Sequence, residues 1–275
     1  MVMLRRIFLL LTALLLASSQ LFAAEITKKL DPATIPPPND ITYYPQSIVD
    51  RPLILPQKLM ELSGRTEYRQ VTKSARGLDL RVRGRYGVMD RLEASVEASL
   101  LPISYFENEE GKETIFIDDG FQFGGILAGA GYALLEENER YPEMIAGLKI
   151  GVLGKGPLSL TNGSNFSVIP GVVAKKILRP GLSVDGAIAL AFGNGGSGLY
   201  LMEAGGALKA FDKLDLKGSL SLEGVGFDET VILSVQPGVM YHWSDKLDII
   251  GGFRVGLVGG EALGNNLNLG VLTRF

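Results

Sequence analysis

From residue 58 onward, apolar and polar residues alternate with a period of two. The first stretch places Met60, Leu62, Gly64, Thr66 and Tyr68 on one face and Glu61, Ser63, Arg65, Glu67 and Arg69 on the other. The next sets Leu78, Leu80, Val82, Gly84 and Tyr86 against Asp79, Arg81, Arg83 and Arg85. A third sets Leu92, Ala94, Val96, Ala98 and Leu100 against Glu93, Ser95, Glu97 and Ser99. The chain ends in the same way, with Leu267, Leu269, Val271, Thr273 and Phe275 alternating with Asn266, Asn268, Gly270, Leu272 and Arg274. Successive strand residues point to opposite sides of a sheet, so each run is a strand with one apolar and one mostly polar face. The pattern predicts strands over 60–70, 78–88, 92–101, 120–134, 143–153, 166–177, 183–193, 199–211, 215–223, 230–243, 247–258 and 265–275. The count is about 12, with 10–14 as the range if a hairpin is merged or missed.

Two-faced strands occur in soluble sandwiches, with the apolar face in a core, and in membrane barrels, with it toward lipid. The number of such strands and the terminal aromatic Phe275 favour the second. Outer-membrane barrels have an even strand number and place aromatics at both membrane interfaces. Tyr86, Tyr132, Phe211, Tyr241, Trp243 and Phe275 fall at one set of strand ends, and Tyr68, Phe121, Phe166, Phe192, Tyr200 and Phe227 near the other. The predicted fold is therefore all-β: a transmembrane antiparallel up-and-down β-barrel, with both the N and C termini periplasmic.

The links divide into two kinds. Asp90-Arg91-Leu92-Glu93, Asp212-Lys213-Leu214-Asp215 and Asp245-Lys246-Leu247-Asp248 are nearly one tetrapeptide at three places. Asp opening a tight turn accepts backbone N–H bonds from the residues after it. These, with Pro180-Gly181 and 136–142, read as short periplasmic turns. The links 71–76, 102–119, 154–165, 194–198, 224–229 and 259–264 read as extracellular loops.

The N-terminus changes the picture of what is exported. Arg5 and Arg6 precede an apolar run over 7–17 and a small-residue stretch over 18–24. This is the pattern of a secretory signal peptide, expected to be cleaved after Ala23 or Ala24. The expected location is the bacterial outer membrane. Residues 25–57 contain Pro32, Pro36, Pro37, Pro38, Pro45, Pro52 and Pro56, which exclude a central strand or long helix. This Pro-rich segment lies in the periplasm or folds up into the lumen. Residues 58–275 form the barrel.

Composition supports the same class. Hydrophobic residues make up 46% of the chain, yet no run after residue 24 is apolar enough for a spanning helix. The absence of cysteine argues against a disulfide-stapled domain. Without Arg5 and Arg6 the chain carries 25 basic and 30 acidic residues, a balance of −5, and no basic stripe suited to nucleic acid.

Candidate chemistry is sparse. His242-Trp243-Ser244 contains the single histidine, and a His–Ser pair occurs in lipid-modifying outer-membrane enzymes. Alternation turns His242 to the lumen and away from lipid, so a plain turn is the favoured reading. The acidic run Glu107, Glu109, Glu110, Glu113, Asp118 and Asp119 matches no ligand spacing and reads as a solvated outer loop. No metal and no cofactor is expected.

The lumen is where function is expected. Arg81, Arg83 and Arg85 form a ladder on the second strand, flanked by Glu61, Arg65, Glu67 and Arg69 on one side and Glu93 and Glu97 on the other. Strands about 4.8 Å apart bring these within pairing distance. The ladder is then either a structural ion-pair network or, with Lys149 and Arg254, a cationic path for anionic or aromatic solutes. The facing wall is small: Gly171, Ala187, Ala189, Ala191, Gly205, Ala207, Gly238, Gly252 and Gly256. Twelve strands leave room for a narrow pore, a solute site or a plug.

Asp50-Arg51-Pro52-Leu53-Ile54-Leu55-Pro56, followed by Glu61-Leu62-Ser63-Gly64 and then Tyr86-Gly87-Val88-Met89-Asp90-Arg91-Leu92-Glu93, resembles a broad group of Gram-negative outer-membrane barrels. That group includes transporters of the meta-pathway of phenol degradation. The similarity covers the first third of the chain and the terminal strand, and it implies barrel membership rather than a substrate. The expected function is an outer-membrane channel or transporter for small solutes. The alternatives are a structural or surface-interaction barrel with a closed lumen and, behind it, a lipid-modifying enzyme. Expected partners are outer-membrane lipids and lipopolysaccharide, a small-molecule solute, and the barrel-assembly machinery acting on Leu267, Leu269, Val271, Thr273 and Phe275.

Overall fold

The computed structural model describes residues 44–70, 75–107, 113–116, 123–152, 166–193, 199–225, 231–258 and 265–275. The predicted signal peptide and most of the predicted outer loops lie outside them. The strands are β1 (Met60–Gln70), β2 (Ala75–Met89), β3 (Leu92–Glu107), β4 (Glu113–Phe116), β5 (Phe123–Leu135), β6 (Glu143–Val152), β7 (Phe166–Arg179), β8 (Leu182–Gly193), β9 (Leu199–Phe211), β10 (Leu214–Val225), β11 (Val231–Ser244), β12 (Leu247–Val258) and β13 (Asn265–Arg274). All pairings are antiparallel, each between neighbours around the ring, and β1 with β13 closes it. The result is an up-and-down barrel of twelve strands, with β4 as a short addition on the end of β3.

That addition corrects the reading of 102–119 as a loop. Strand β3 runs on to Glu107, and Glu113–Phe116 pairs back on it, placing Glu107 opposite Glu113. The reason is local: Ile103, Tyr105, Phe106, Thr114, Ile115 and Phe116 are β-branched or aromatic and favour strand. Glu109, Glu110, Asp118 and Asp119 lie outside the described residues.

Burial is inverted relative to a soluble protein. Leu267, Leu269, Val271 and Phe275 are half exposed or more, and so are Val96, Leu220 and Trp243. Glu61, Asp79, Ser99, Asp215, Ser221, Ser234, Asp248, Asn268 and Arg274 are buried. An apolar belt that surrounds the molecule is matched only by lipid. The predicted aromatic positions are exposed at Tyr68, Tyr86, Tyr132, Phe166, Phe192, Phe211, Tyr241, Trp243 and Phe275. Tyr200 departs from the expectation. It is buried, and its ring lies where a side chain on Gly224 would be. Phe121 and Phe227 lie outside the described residues.

Three strands contain an interior proline: Pro102 in β3, where the β2–β3 register passes from Leu78↔Ile103 to Leu80↔Leu100, Pro170 in β7 and Pro237 in β11. At Pro170 the β7–β8 register passes from Val168↔Phe192 to Gly171↔Ala189. At Pro237 the β11–β12 register passes from Val235↔Val255 to Gly238↔Gly252. Proline offers no N–H to the ladder, so pairing lapses on one side of each strand.

Candidate functional site

Residues 44–59 enter the barrel at its turn end, where β1 begins and β13 finishes. The chain turns in through Lys58, whose φ of 67° is left-handed. Lys58 N–H donates to the Gly87 carbonyl at 2.7 Å, and Gly87 N–H donates to the Leu59 carbonyl at 3.0 Å. A Cβ on Gly87 would overlap the Pro56 carbonyl oxygen, so this close approach requires glycine. Inside, Val49, Ile54, Leu55 and Leu59 are buried, and Ile54 packs with Ala133 and Ile145.

The wall grips this segment with charge. Ile48 N–H and the Ser47 hydroxyl donate to Asp215 at 2.7 and 3.2 Å. Leu53 N–H donates to the Glu143 carboxylate at 2.9–3.0 Å, and Leu55 N–H to Glu93 at 3.1 Å. Lys175 Nζ donates to the Ile48 carbonyl at 2.7 Å and also to the Arg51 carbonyl. Arg85 donates to the Leu53 carbonyl at 2.8 Å. Arg51 pairs with Asp248 at 2.9 Å. These partners come from β2, β3, β6, β7, β10 and β12, so the segment is held from all around the ring.

The three repeated tetrapeptides supply one clamp each. The leading Asp makes the turn, and the closing acid, Glu93, Asp215 or Asp248, points into the lumen and binds the segment. The sequence reading took the tetrapeptides as turns and their closing acids as inward charges, without a partner in residues 44–59.

Asp215 and Asp248 also hold His242. Its Nε2 lies 3.0 Å from Asp215 Oδ2 and its Nδ1 lies 2.8 Å from Asp248 Oδ1. His242 is 1% exposed and both aspartates 0%. Arg274, from the terminal strand, pairs with Asp248 and approaches Glu61 at 3.8 Å. The Tyr44 ring lies 5.9 Å from the Arg51 guanidinium carbon and 5.5 Å from that of Arg274, a cation–π distance. Burial, reinforced by Glu61, pushes the Tyr44 phenol up to about 12, so the ring stays neutral. The expectation that His242 sits in a plain turn is corrected: it is the centre of a buried charge cluster. Both its nitrogens are taken by carboxylates, while the Ser244 hydroxyl accepts the Lys246 N–H at 3.4 Å. The His–Ser pair a lipid-modifying enzyme would use is not formed.

The arginine ladder divides. Arg85 is paired with Glu93 at 2.6 Å and Glu61 at 3.1 Å. Arg81 is paired with Asp79 at 2.6 Å, Glu67 at 3.6 Å and Glu97 at 3.9 Å. Arg254 is paired with Glu223 at 2.7 Å and donates to the Ser234 hydroxyl at 2.7 Å. Among the described residues, Arg65, Arg83 and Lys149 have no carboxylate in pairing distance. Arg65 faces Arg81 directly across the strands, a juxtaposition that costs stability. The side chain of Arg69 lies outside the described residues. Glu67 also accepts the Asn266 Nδ2–H at 2.6 Å. Ser95, Ser99, Ser219, Ser221 and Ser234 fill other inward positions.

The barrel is similar to solved outer-membrane channels. It matches an outer membrane channel from Pseudomonas putida F1 at a TM-score of 0.61 and 14% identity, over 80% of this chain and 97% of that one. It matches the NanC porin at 0.56 and 12%, over 77% and 98%. It matches the KdgM porin in complex with disordered oligogalacturonate at 0.54 and 13%, over 78% and 99%. No family model and no curated protein matches the sequence. At these identities the likeness is one of fold: a closed, twelve-stranded antiparallel β-barrel.

Proposed function

We propose that the protein is an outer-membrane channel for small solutes, with a preference for anions, whose passage is narrowed at the turn end by residues 44–59. The observation that carries this reading is the set of lumenal cations without a carboxylate partner among the described residues: Arg65, Arg83 and Lys149. A wall built only for stability would pair them, as it pairs Arg81 and Arg85. Serines and small residues around them leave a hydrated path. In this reading the turn end and both termini face the periplasm, and residues 1–24 are removed on export. The apolar belt meets outer-membrane lipid and lipopolysaccharide, and the strand ending at Phe275 is presented to the assembly machinery.

Liposome swelling tests the reading. Vesicles carrying the folded protein should swell faster in small organic anions than in cations of equal size. Swelling no faster than in protein-free vesicles would leave a structural barrel closed by its own N-terminal segment.

A further inference from the structure

We propose that Arg83 and Lys149 form a subsite in the lumen that binds one small monocarboxylate through its charged end. The proposal rests on the reading of the lumen as a solute path and names the class of solute held there.

Three features carry it. First, Arg83 is unpaired between two paired neighbours. Its register partner across β2 and β3 is Glu97, yet that carboxylate lies 3.9 Å from Arg81 and makes no ion pair with Arg83. Second, Lys149 is brought to it across an intervening strand. Lys149 lies opposite Gly129. An added Cβ on Gly129 would sit 2.9 Å from Lys149 Cγ and 3.0 Å from Ser95 Oγ. The bare glycine thus lets the Lys149 stem cross β5 toward β3. Ser95, which the stem reaches, lies opposite Arg85 on β2, one inward position from Arg83. Third, neither cation has a hydrogen bond or ion pair from its charged end among the described residues. Two like charges on neighbouring inward positions, neither in a direct ion pair, repel, and an anion between them removes the repulsion.

The surroundings select the ligand. A guanidinium fork fits a carboxylate with two parallel N–H donors, the ammonium adds a point charge, and the Ser95 hydroxyl is a free donor beside them. Glu97 lies opposite Arg83 and Glu93 further along the same face of β3, so a dianion meets repulsion that a monoanion escapes. Leu127, buried on the same face of β5, offers an apolar contact for the rest of the molecule.

Calorimetric titration of the folded full-length protein in detergent with butyrate tests the subsite directly. The expected result is one-site binding, with no binding of butyramide, the neutral analogue. R83Q and K149Q should each weaken butyrate by roughly 10-fold or more, the scale of a lost charge-assisted bond. R91Q, which changes a cation at an exposed turn outside the lumen, should leave it unchanged. Heat-shifted gel mobility confirms that each variant is folded, and K149Q serves if R83Q does not fold. No butyrate binding, equal binding of butyramide, or full affinity in both R83Q and K149Q would overturn the proposal. Binding by a protein that carries no current would support the subsite and sink the channel reading. Current without butyrate binding would do the reverse.

Discussion

Asp248 is the residue on which most of the turn-end cluster depends. It accepts from His242, Arg51 and Arg274 at once, with no exposure to solvent. Removing one charge from a buried network leaves its partners uncompensated, at about 3–5 kcal/mol. Asp248→Asn should therefore lower the urea midpoint of the barrel in lipid vesicles by that order, whereas Asp212→Asn, at an exposed turn, should leave it nearly unchanged. Gly87→Ala should displace Pro56 and cost roughly 1–3 kcal/mol as overpacking, read as new protease cleavage within 44–59. The inward direction of His242 was legible, because alternation fixes it. Its partners were not, because Asp215 and Asp248 belong to other strands and their own spacing signals a turn.

At the scale of elements, the strands were nearly all legible. A membrane barrel imposes the period of two on almost every residue, with lipid on one side and water on the other. β1, β9 and β12 fall where the alternation places them. What failed were features set by neighbours. Tyr200 is covered because Gly224 gives it room, and β4 forms by pairing back on an extended β3. The lapses at Pro170 and Pro237 depend on which side of the strand the missing N–H faces, which a single strand does not reveal. Leu269 is 64% exposed in the middle of β13. Leu269→Arg should destabilise the barrel in vesicles by roughly 2–4 kcal/mol, the cost of a cation at mid-bilayer. Asn268→Ser, on the lumen face beside it, should change stability far less.

At the scale of the whole molecule, the barrel and residues 44–59 are one unit. Two of the three stretches that carried the family resemblance, 50–56 and 86–93, meet inside it: Leu55 binds Glu93 and Pro56 lies on Gly87. Sequence reading left the segment in the periplasm or the lumen, because its prolines exclude strand but do not say where an extended chain docks. The arginine ladder was legible as inward charge. Its division into paired and unpaired members was not, since it turns on which carboxylate each guanidinium reaches.

Single-channel recording of the folded protein in a planar bilayer under a salt gradient, beside its Arg51→Ala variant, tests this account most directly. Arg51 ties the segment to Asp248, so its loss should loosen the constriction. The prediction is discrete steps with anion preference in the unaltered protein and larger steps in the variant. Silent bilayers with both proteins, each shown to be folded in the membrane, would contradict a conducting lumen.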